Sequence, residues 1–227
     1  SVSFPRLARR ADAIPAILLF VLVASAFATP APAADRYTVR GTSVAIYNLV
    51  GRLDAEAATG ADIVVEVTPG GADAAQLSVE QGGIGKWQTL RVVFPGNRIP
   101  YRGGEFWSPE MRVGDDGRFS DGSLVGDEGG RHKVQISSKS GGLEARADLH
   151  VQVPKGKTLA LFLGVGSLSI TNVEGDLKVD VASADATVRG TKGSLDMDSG
   201  SGTVRISDVA GAINLDTGSG STTVRGV

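Results

Sequence analysis

Apolar residues recur at a fixed spacing of 18 residues over the last part of the chain. Gly175, Gly193 and Gly211 mark the same position in three successive copies. Apolar side chains fall two and four residues after each glycine, and five and seven residues before it. The fifth residue after each glycine is an aspartate: Asp180, Asp198 and Asp216. A repeat of this length indicates an array of identical structural units.

One further copy of the repeat lies far upstream. Residues 43–60 match it when Gly51 is taken as the reference glycine. Asn48 then occupies the position of Asn172 and Asp208, where a turn-forming residue is expected. The distance from Gly51 to Gly175 is not a multiple of 18, so a long block is inserted between the two parts, or the middle repeats have diverged.

Apolar and polar residues alternate over two short runs within each unit, and a glycine-containing turn follows each run. This pattern predicts two short strands per unit, each with one face buried. A single unit buries too little apolar surface to fold alone, so the units must stack. We therefore predict an all-β fold, a single-chain β-solenoid with 18-residue coils. The segment "STTVRGV" at the end of the chain begins another copy, and we expect the repeats to be cut short there.

The block between the two parts is rich in strand-forming residues but does not follow the period. Five runs read as strands: 62–67, 89–94, 132–137, 145–153 and 158–163. We expect this block to extend or cap the same sheet. The predicted organisation is a first coil with a β-rich insertion or cap over 35–166, followed by solenoid repeats over 167–227.

Residues 102–131 differ from the rest of the block because they are glycine-rich and acidic. Loops of this length are functional or disordered. Phe106 and Trp107 within it are candidate surface-binding residues, since aromatic rings stack on sugars. The alternative is that both rings tuck onto the sheet.

Asp216-Thr217-Gly218 looks like the catalytic turn of an aspartic protease, and Asp198-Ser199-Gly200 looks like a second copy. Both belong to the period, so the repeat accounts for the likeness. We predict no catalytic residues. An alternative is an enzyme acting on polysaccharide, and its candidates are the acidic and basic residues on outward positions: Asp180, Asp198, Asp216, Arg189 and Arg205.

We predict no metal site and no cofactor. The two histidines do not have metal-ligand spacing, and the chain has no cysteine. A calcium ion would relieve repulsion along the aspartate positions, but the calcium-binding solenoid repeat is a shorter glycine- and aspartate-rich unit. A plain solvated turn is the simpler interpretation.

The N-terminus has the pattern of a secretory signal. Arginines precede an apolar run from Ala13 to Ala28, and Ala31-Pro32-Ala33 offers a cleavage site, so we assign the signal to 1–34. Removal of three arginines and one aspartate leaves 20 basic and 24 acidic side chains, a net charge of −4. We therefore expect no binding to nucleic acid and no transmembrane segment after cleavage.

The repeat from Thr171 to Val227, the upstream "VAIYNLVG" and the signal together resemble a bacterial family of exported β-strand-repeat proteins that carry an adhesin label and a domain of unknown function. The resemblance implies a β-solenoid-like fold in the cell envelope, with no established enzymatic activity.

From these features we expect a non-enzymatic exported protein of the periplasm, cell surface or extracellular space. It would act as an adhesin-like or structural β-repeat scaffold whose partner is an envelope polysaccharide or a surface protein. An envelope sensor or assembly partner is an alternative that the sequence does not separate from this one.

Overall fold

The repeats fold as neighbouring long strands of one sheet. The computed structural model describes residues 34–102, 109–119 and 130–227, all within one unit that runs from Pro32 to Val227. Thirteen strands and one short 3-10 turn at Ala74–Gln76 make up the described part, so the all-β prediction is confirmed. The strands are β1 (Asp35–Val39), β2 (Ser43–Ala58), β3 (Ile63–Gly70), β4 (Ser78–Ile84), β5 (Trp87–Val93), β6 (Arg98–Pro100), β7 (Glu110–Gly114), β8 (Arg131–Ser137), β9 (Arg146–Pro154), β10 (Lys157–Thr171), β11 (Gly175–Arg189), β12 (Leu195–Ser207) and β13 (Ile213–Arg225).

Strands β10 to β13 lie side by side, all parallel, with a shift of 18 residues between neighbours. Leu159 is opposite Leu177, Leu177 is opposite Leu195, and Leu195 is opposite Ile213. The predicted period is therefore the spacing between paired strands. Each unit forms one long strand where two short ones were predicted. Its pairing is interrupted near the middle, where the alternation of buried and exposed residues changes phase.

The upstream copy was predicted in the wrong register. Strand β2 pairs with β10, but Gly51 lies opposite Gly166 and Leu53 opposite Leu168, nine residues from the predicted match. The 18-residue unit has two halves with similar apolar alternation, so sequence alone offers two registers half a unit apart.

The inserted block extends the same sheet beyond β2. Strand β5 pairs with the first half of β2, and β9 pairs with its second half. Antiparallel partners continue each branch: β4 on β5, and β3 followed by β1 on β9. All five predicted strands of this block are present.

A second, three-stranded sheet has the order β6-β8-β7. Strand β7 falls inside the segment predicted to be a loop, 102–131, so that prediction is wrong for residues 110–114. Asp116, which follows β7, binds Arg91 of the main sheet at 2.7 Å and Arg118 at 2.6 Å. The Arg91 pair connects the segment after β7 to the main sheet, whereas the Arg118 pair is local to that segment.

The predicted inward positions are buried in β10, β11 and β12. These core residues are Leu159, Leu168, Ile170, Leu177, Val179, Ala186, Val188, Leu195, Met197, Val204 and Ile206. In β13 the equivalent Ile213 and Leu215 are only partly buried. No helix in the described ranges is long and apolar enough to cross a membrane.

The turn prediction is confirmed for Asn172 and Asp208 and is wrong for Asn48. Asn172 and Asp208 have φ angles of 58° and 57°, the left-handed conformation that suits Asn and Asp in turns. Asn48 is instead buried within β2, where its side-chain amide donates to the Ala147 carbonyl at 2.7 Å. The turn prediction was wrong for Asn48 because the register of β2 was wrong.

Candidate functional site

One row of side chains runs across the sheet on the face opposite the core leucines. It passes from Tyr47 through Phe162, Asp180 and Asp198 to Asp216, one residue from each of five neighbouring strands. We call these five residues the outer row. Parallel register fixes them about 4.8 Å apart along the row.

The aromatic half of the outer row is covered. The Tyr47 and Phe162 rings stack with centroids 4.2 Å apart, and Phe119, in the segment after β7, meets Tyr47 edge-on at 6.0 Å. Burial raises the pKa of Tyr47 to about 12, because the interior disfavours the phenolate. The row changes from aromatic to carboxylate at β11, where the cover ends.

A cavity of about 360 Å³ lies at the end of the cover. The second sheet contributes Glu110, Met111, Arg112 and Arg131 to its wall, and the segment after β7 contributes Phe119. The main sheet contributes Asp180, Val181, Ala182, Asp198 and Gly200. We call this the charged cavity. Its wall holds carboxylates and guanidinium groups together, so it offers both hydrogen-bond acceptors and donors.

The charged cavity continues along the outer row as a smaller groove of about 250 Å³. This acidic groove is lined by Lys178, Val179, Asp180, Asp196, Met197, Asp198, Asn214 and Asp216. Asn214 donates to the Asp196 carboxylate at 2.9 Å, and the Lys178 ammonium lies 3.8 Å from it. Asp180 and Asp198 line both the charged cavity and the acidic groove, so the cavity and the groove form one continuous surface.

Carboxylates elsewhere on these strands act between neighbouring units. Glu174 bonds to Lys155 at 2.7 Å and to Lys192 at 2.9 Å, and these two lysines lower its pKa to about 2. Asp176 accepts from the Ser194 hydroxyl at 2.6 Å and from the Ser194 backbone N–H, which lowers the pKa of Asp176. Both carboxylates tie one unit to the next.

The residues predicted for an enzyme are not brought together as a set. Asp180, Asp198 and Asp216 share the outer row, but Arg189 and Arg205 lie on the other half of their strands, past the interruption in pairing. The basic residues of the charged cavity are Arg112 and Arg131 from the second sheet. The two protease-like motifs place Asp198 and Asp216 opposite each other on parallel neighbours of one sheet.

The candidate binding residues Phe106 and Trp107 lie outside the described residues. A cavity of about 480 Å³ opens near the described start of their segment, lined by Gly70, Gly71, Pro100, Tyr101, Arg102, Ser140, Glu144, Ala145 and Arg146. In the described part of the chain, no three His, Asp or Glu side chains come together in a way that could hold a metal ion.

Sequence reasoning missed Glu110, Met111, Arg112, Phe119 and Arg131. They come from the aperiodic block, where no spacing relates them to the aspartates. The sequence offered one indirect indication of these residues. Phe162 and Asp180 occupy the same repeat position, and the change from an aromatic residue to a carboxylate there marks where the segment that covers the outer row ends.

The described fold resembles one solved structure, named a "putative cell adhesion protein" from Clostridium sporogenes. The TM-score is 0.50 and the sequence identity 9%, over 86% of this chain and 99% of that one. At this identity the likeness concerns the fold alone. No protein-family model and no curated protein matches the sequence.

Proposed function

We propose that the chain is a short β-solenoid that acts as a non-enzymatic, adhesin-like scaffold of the cell envelope. In this proposal the charged cavity and the acidic groove form its recognition surface. The observation that carries the proposal is the change along the outer row: the aromatic residues are covered, and the carboxylates that follow line an open surface with Arg112 and Arg131 at one end.

The ligand class follows from the groups on that surface. Carboxylates accept hydrogen bonds from hydroxyl groups, and guanidinium groups donate to ring and hydroxyl oxygens. Acceptors repeat at about 4.8 Å along parallel strands, so a polymer that offers many hydroxyl groups can contact several of them at once. We infer a neutral polysaccharide of the envelope as the partner. The secretory-signal pattern at the N-terminus and the adhesion-like fold are consistent with this location.

Cosedimentation with neutral and with anionic cell-wall polysaccharides tests the proposal. The Asp180→Asn/Asp198→Asn double variant changes the surface, and the Arg189→Gln/Arg205→Gln double variant changes the other half of the same strands. We expect binding to the neutral polymer and a loss of at least about tenfold in the aspartate variant, since two weakened hydrogen bonds of about 1 kcal/mol each amount to that factor or more. The arginine variant should bind like the parent chain.

Two results would contradict the proposal. Equal binding by the parent chain and the aspartate variant would remove the outer surface from recognition. Release of shortened polysaccharide by the parent chain, lost in the aspartate variant, would replace the scaffold with an enzyme.

A further inference from the structure

The repeats present a second solvent-facing surface, on the halves of the strands that follow the interruption in pairing. Its outward residues on β11, β12 and β13 are Asp185, Thr187, Arg189, Thr203, Arg205, Ser207, Ser221, Thr223 and Arg225. Every one of these side chains is polar, and all three arginines are exposed. We call this surface the arginine face.

The register arranges the three arginines as a triangle. Arg189 and Arg225 lie in one row with Ser207 between them, and Arg205 precedes Ser207 by two residues on β12. Strands about 4.8 Å apart, with a rise of about 3.3 Å per residue, place the Arg205 backbone about 8 Å from that of each of the other two. The long side chains can therefore converge on one extended ligand.

None of these three arginines forms an ion pair with a residue that the structure describes. On the same side of the sheet but nearer β1, arginines are paired: Arg36 meets Glu66 at 3.1 Å, and Arg52 meets Asp54 at 3.0 Å. The repeats thus leave guanidinium groups without the carboxylate partners that the earlier strands supply.

The two sides of the repeats also differ in charge. On β11 to β13 the side that holds the outer row carries Asp176, Asp180, Asp196, Asp198 and Asp216 against Lys178. Among the outward residues of the arginine face the one carboxylate is Asp185, which accepts a hydrogen bond from the Thr203 backbone N–H at 2.8 Å. The net negative charge of the chain is therefore unevenly distributed, and an anion can approach the arginine face.

We propose that the arginine face binds an anionic polysaccharide, at a site separate from the outer row and independent of the function proposed above. A guanidinium group holds a carboxylate or phosphate group through two parallel hydrogen bonds. The hydroxyl groups of Thr187, Ser207 and Thr223 lie among the arginines and can donate to or accept from sugar hydroxyl groups. A polymer that carries an acid group at regular intervals can contact more than one arginine.

The composition of the arginine face favours a polymer over a lipid surface. Proteins that lie on a membrane insert apolar side chains below the headgroups, and all of the outward residues here are polar. Anionic lipid vesicles are therefore the alternative that the experiment has to separate.

Fluorescence anisotropy with labelled oligogalacturonate and with its methyl ester tests the proposal, because the two probes share one backbone and differ in charge. The parent chain should prefer the acid form, and that preference should weaken as salt is added. Arg189→Gln/Arg205→Gln should reduce the affinity for the acid form by about fivefold or more, since two charge-assisted contacts are lost. Arg40→Gln/Lys139→Gln removes the same charge from exposed positions outside the arginine face and should leave the preference unchanged.

The Asp180→Asn/Asp198→Asn variant separates this site from the recognition surface of the outer row. It should keep the affinity for the acid form, whereas the arginine variant should keep the binding of neutral polysaccharide. Equal affinity of the parent chain for both probes would overturn the proposal, as would an arginine variant that retains the preference. Binding to phosphatidylglycerol vesicles without binding to oligogalacturonate would also overturn it and assign the arginine face to a membrane surface.

Discussion

Gly202 shows at the scale of one residue why the stack depends on small side chains. Its φ of 123° lies in the region that favours glycine, and a Cβ there would meet the Ala184 carbonyl oxygen of the neighbouring strand. Gly60 has a φ of 125° but nothing within 4 Å of an added Cβ. The two glycines share a backbone conformation and differ in whether a neighbouring strand approaches.

Replacement of Gly202 by alanine should therefore destabilise the protein more than replacement of Gly60. The backbone strain of about 1–3 kcal/mol is common to both variants, and only Gly202→Ala adds the clash between strands. Urea unfolding of Gly202→Ala and Gly60→Ala gives the comparison. Equal losses in the free energy of unfolding would mean that the close approach contributes nothing.

Glu174 predicts how stability depends on pH. Its pKa is about 2 in the folded chain and 4.5 ordinarily, because Lys155 and Lys192 hold the ionised form. A lowered folded pKa gives stabilisation that is present above pH 4.5 and is lost as the pH falls toward 2. Glu174→Gln should flatten the decline of the urea midpoint between these values. An unchanged acid decline in this variant would show that the two lysine contacts do not stabilise the fold.

At the scale of the strand, position in the stack determines how much an apolar residue contributes. Leu195 of β12 is 1% exposed between two neighbouring strands, whereas Leu215 of β13 is covered on one side only. Leu195→Ala should cost about 2–5 kcal/mol in the free energy of unfolding, and Leu215→Ala clearly less. Chemical denaturation measures both. Similar losses would contradict the weaker burial of Leu215.

Attachment of the second sheet to the main sheet depends on Asp116. This carboxylate meets the Arg91 guanidinium, which is 10% exposed, and removing it leaves a nearly buried cation short of its closest partner. Asp116→Asn should speed amide exchange in β7 and β8 and cost about 1–3 kcal/mol. Asp115→Asn is the matched control, because that side chain is 81% exposed and its contact, at 3.4 Å, is with His132 of the second sheet and not with the main sheet. Equal exchange in both variants would contradict a role for this ion pair.

The sequence determined the repeating strands better than their relation to the rest. Inward positions such as Val179 and Val188 were predictable because each repeats at 18 residues. The register of β2 was not, because the two halves of the unit look alike and nothing near Gly51 distinguishes them. Only pairing across the inserted block, such as Leu53 opposite Leu168, resolves the choice.

At the scale of the whole molecule, the aperiodic block supplies strands and a second sheet that the repeat does not provide. It extends the sheet beyond β2 and places a second sheet over the aromatic half of the outer row. Arg112 and Arg131 line the same cavity as Asp180 and Asp198 only through this packing, and the packing of distant segments leaves no local pattern. The aspartates of the candidate site were therefore predictable, and their basic neighbours were not.

The 18-residue register underlies both the outer row and the acidic groove. Glu56, Ser207 and Arg225 lie in one row across β2, β12 and β13, with Thr171 and Arg189 between them. Because the chain has no cysteine, spin labels can be attached to introduced cysteines at these three sites alone.

Double electron–electron resonance between label pairs is the most direct test of this register. Strands about 4.8 Å apart predict a separation of about 14 Å for the backbone of Glu56 and Ser207, and about 19 Å for Glu56 and Arg225. The second pair should therefore exceed the first by about one strand spacing. Equal distances, or a shorter one for Arg225, would contradict the parallel stack.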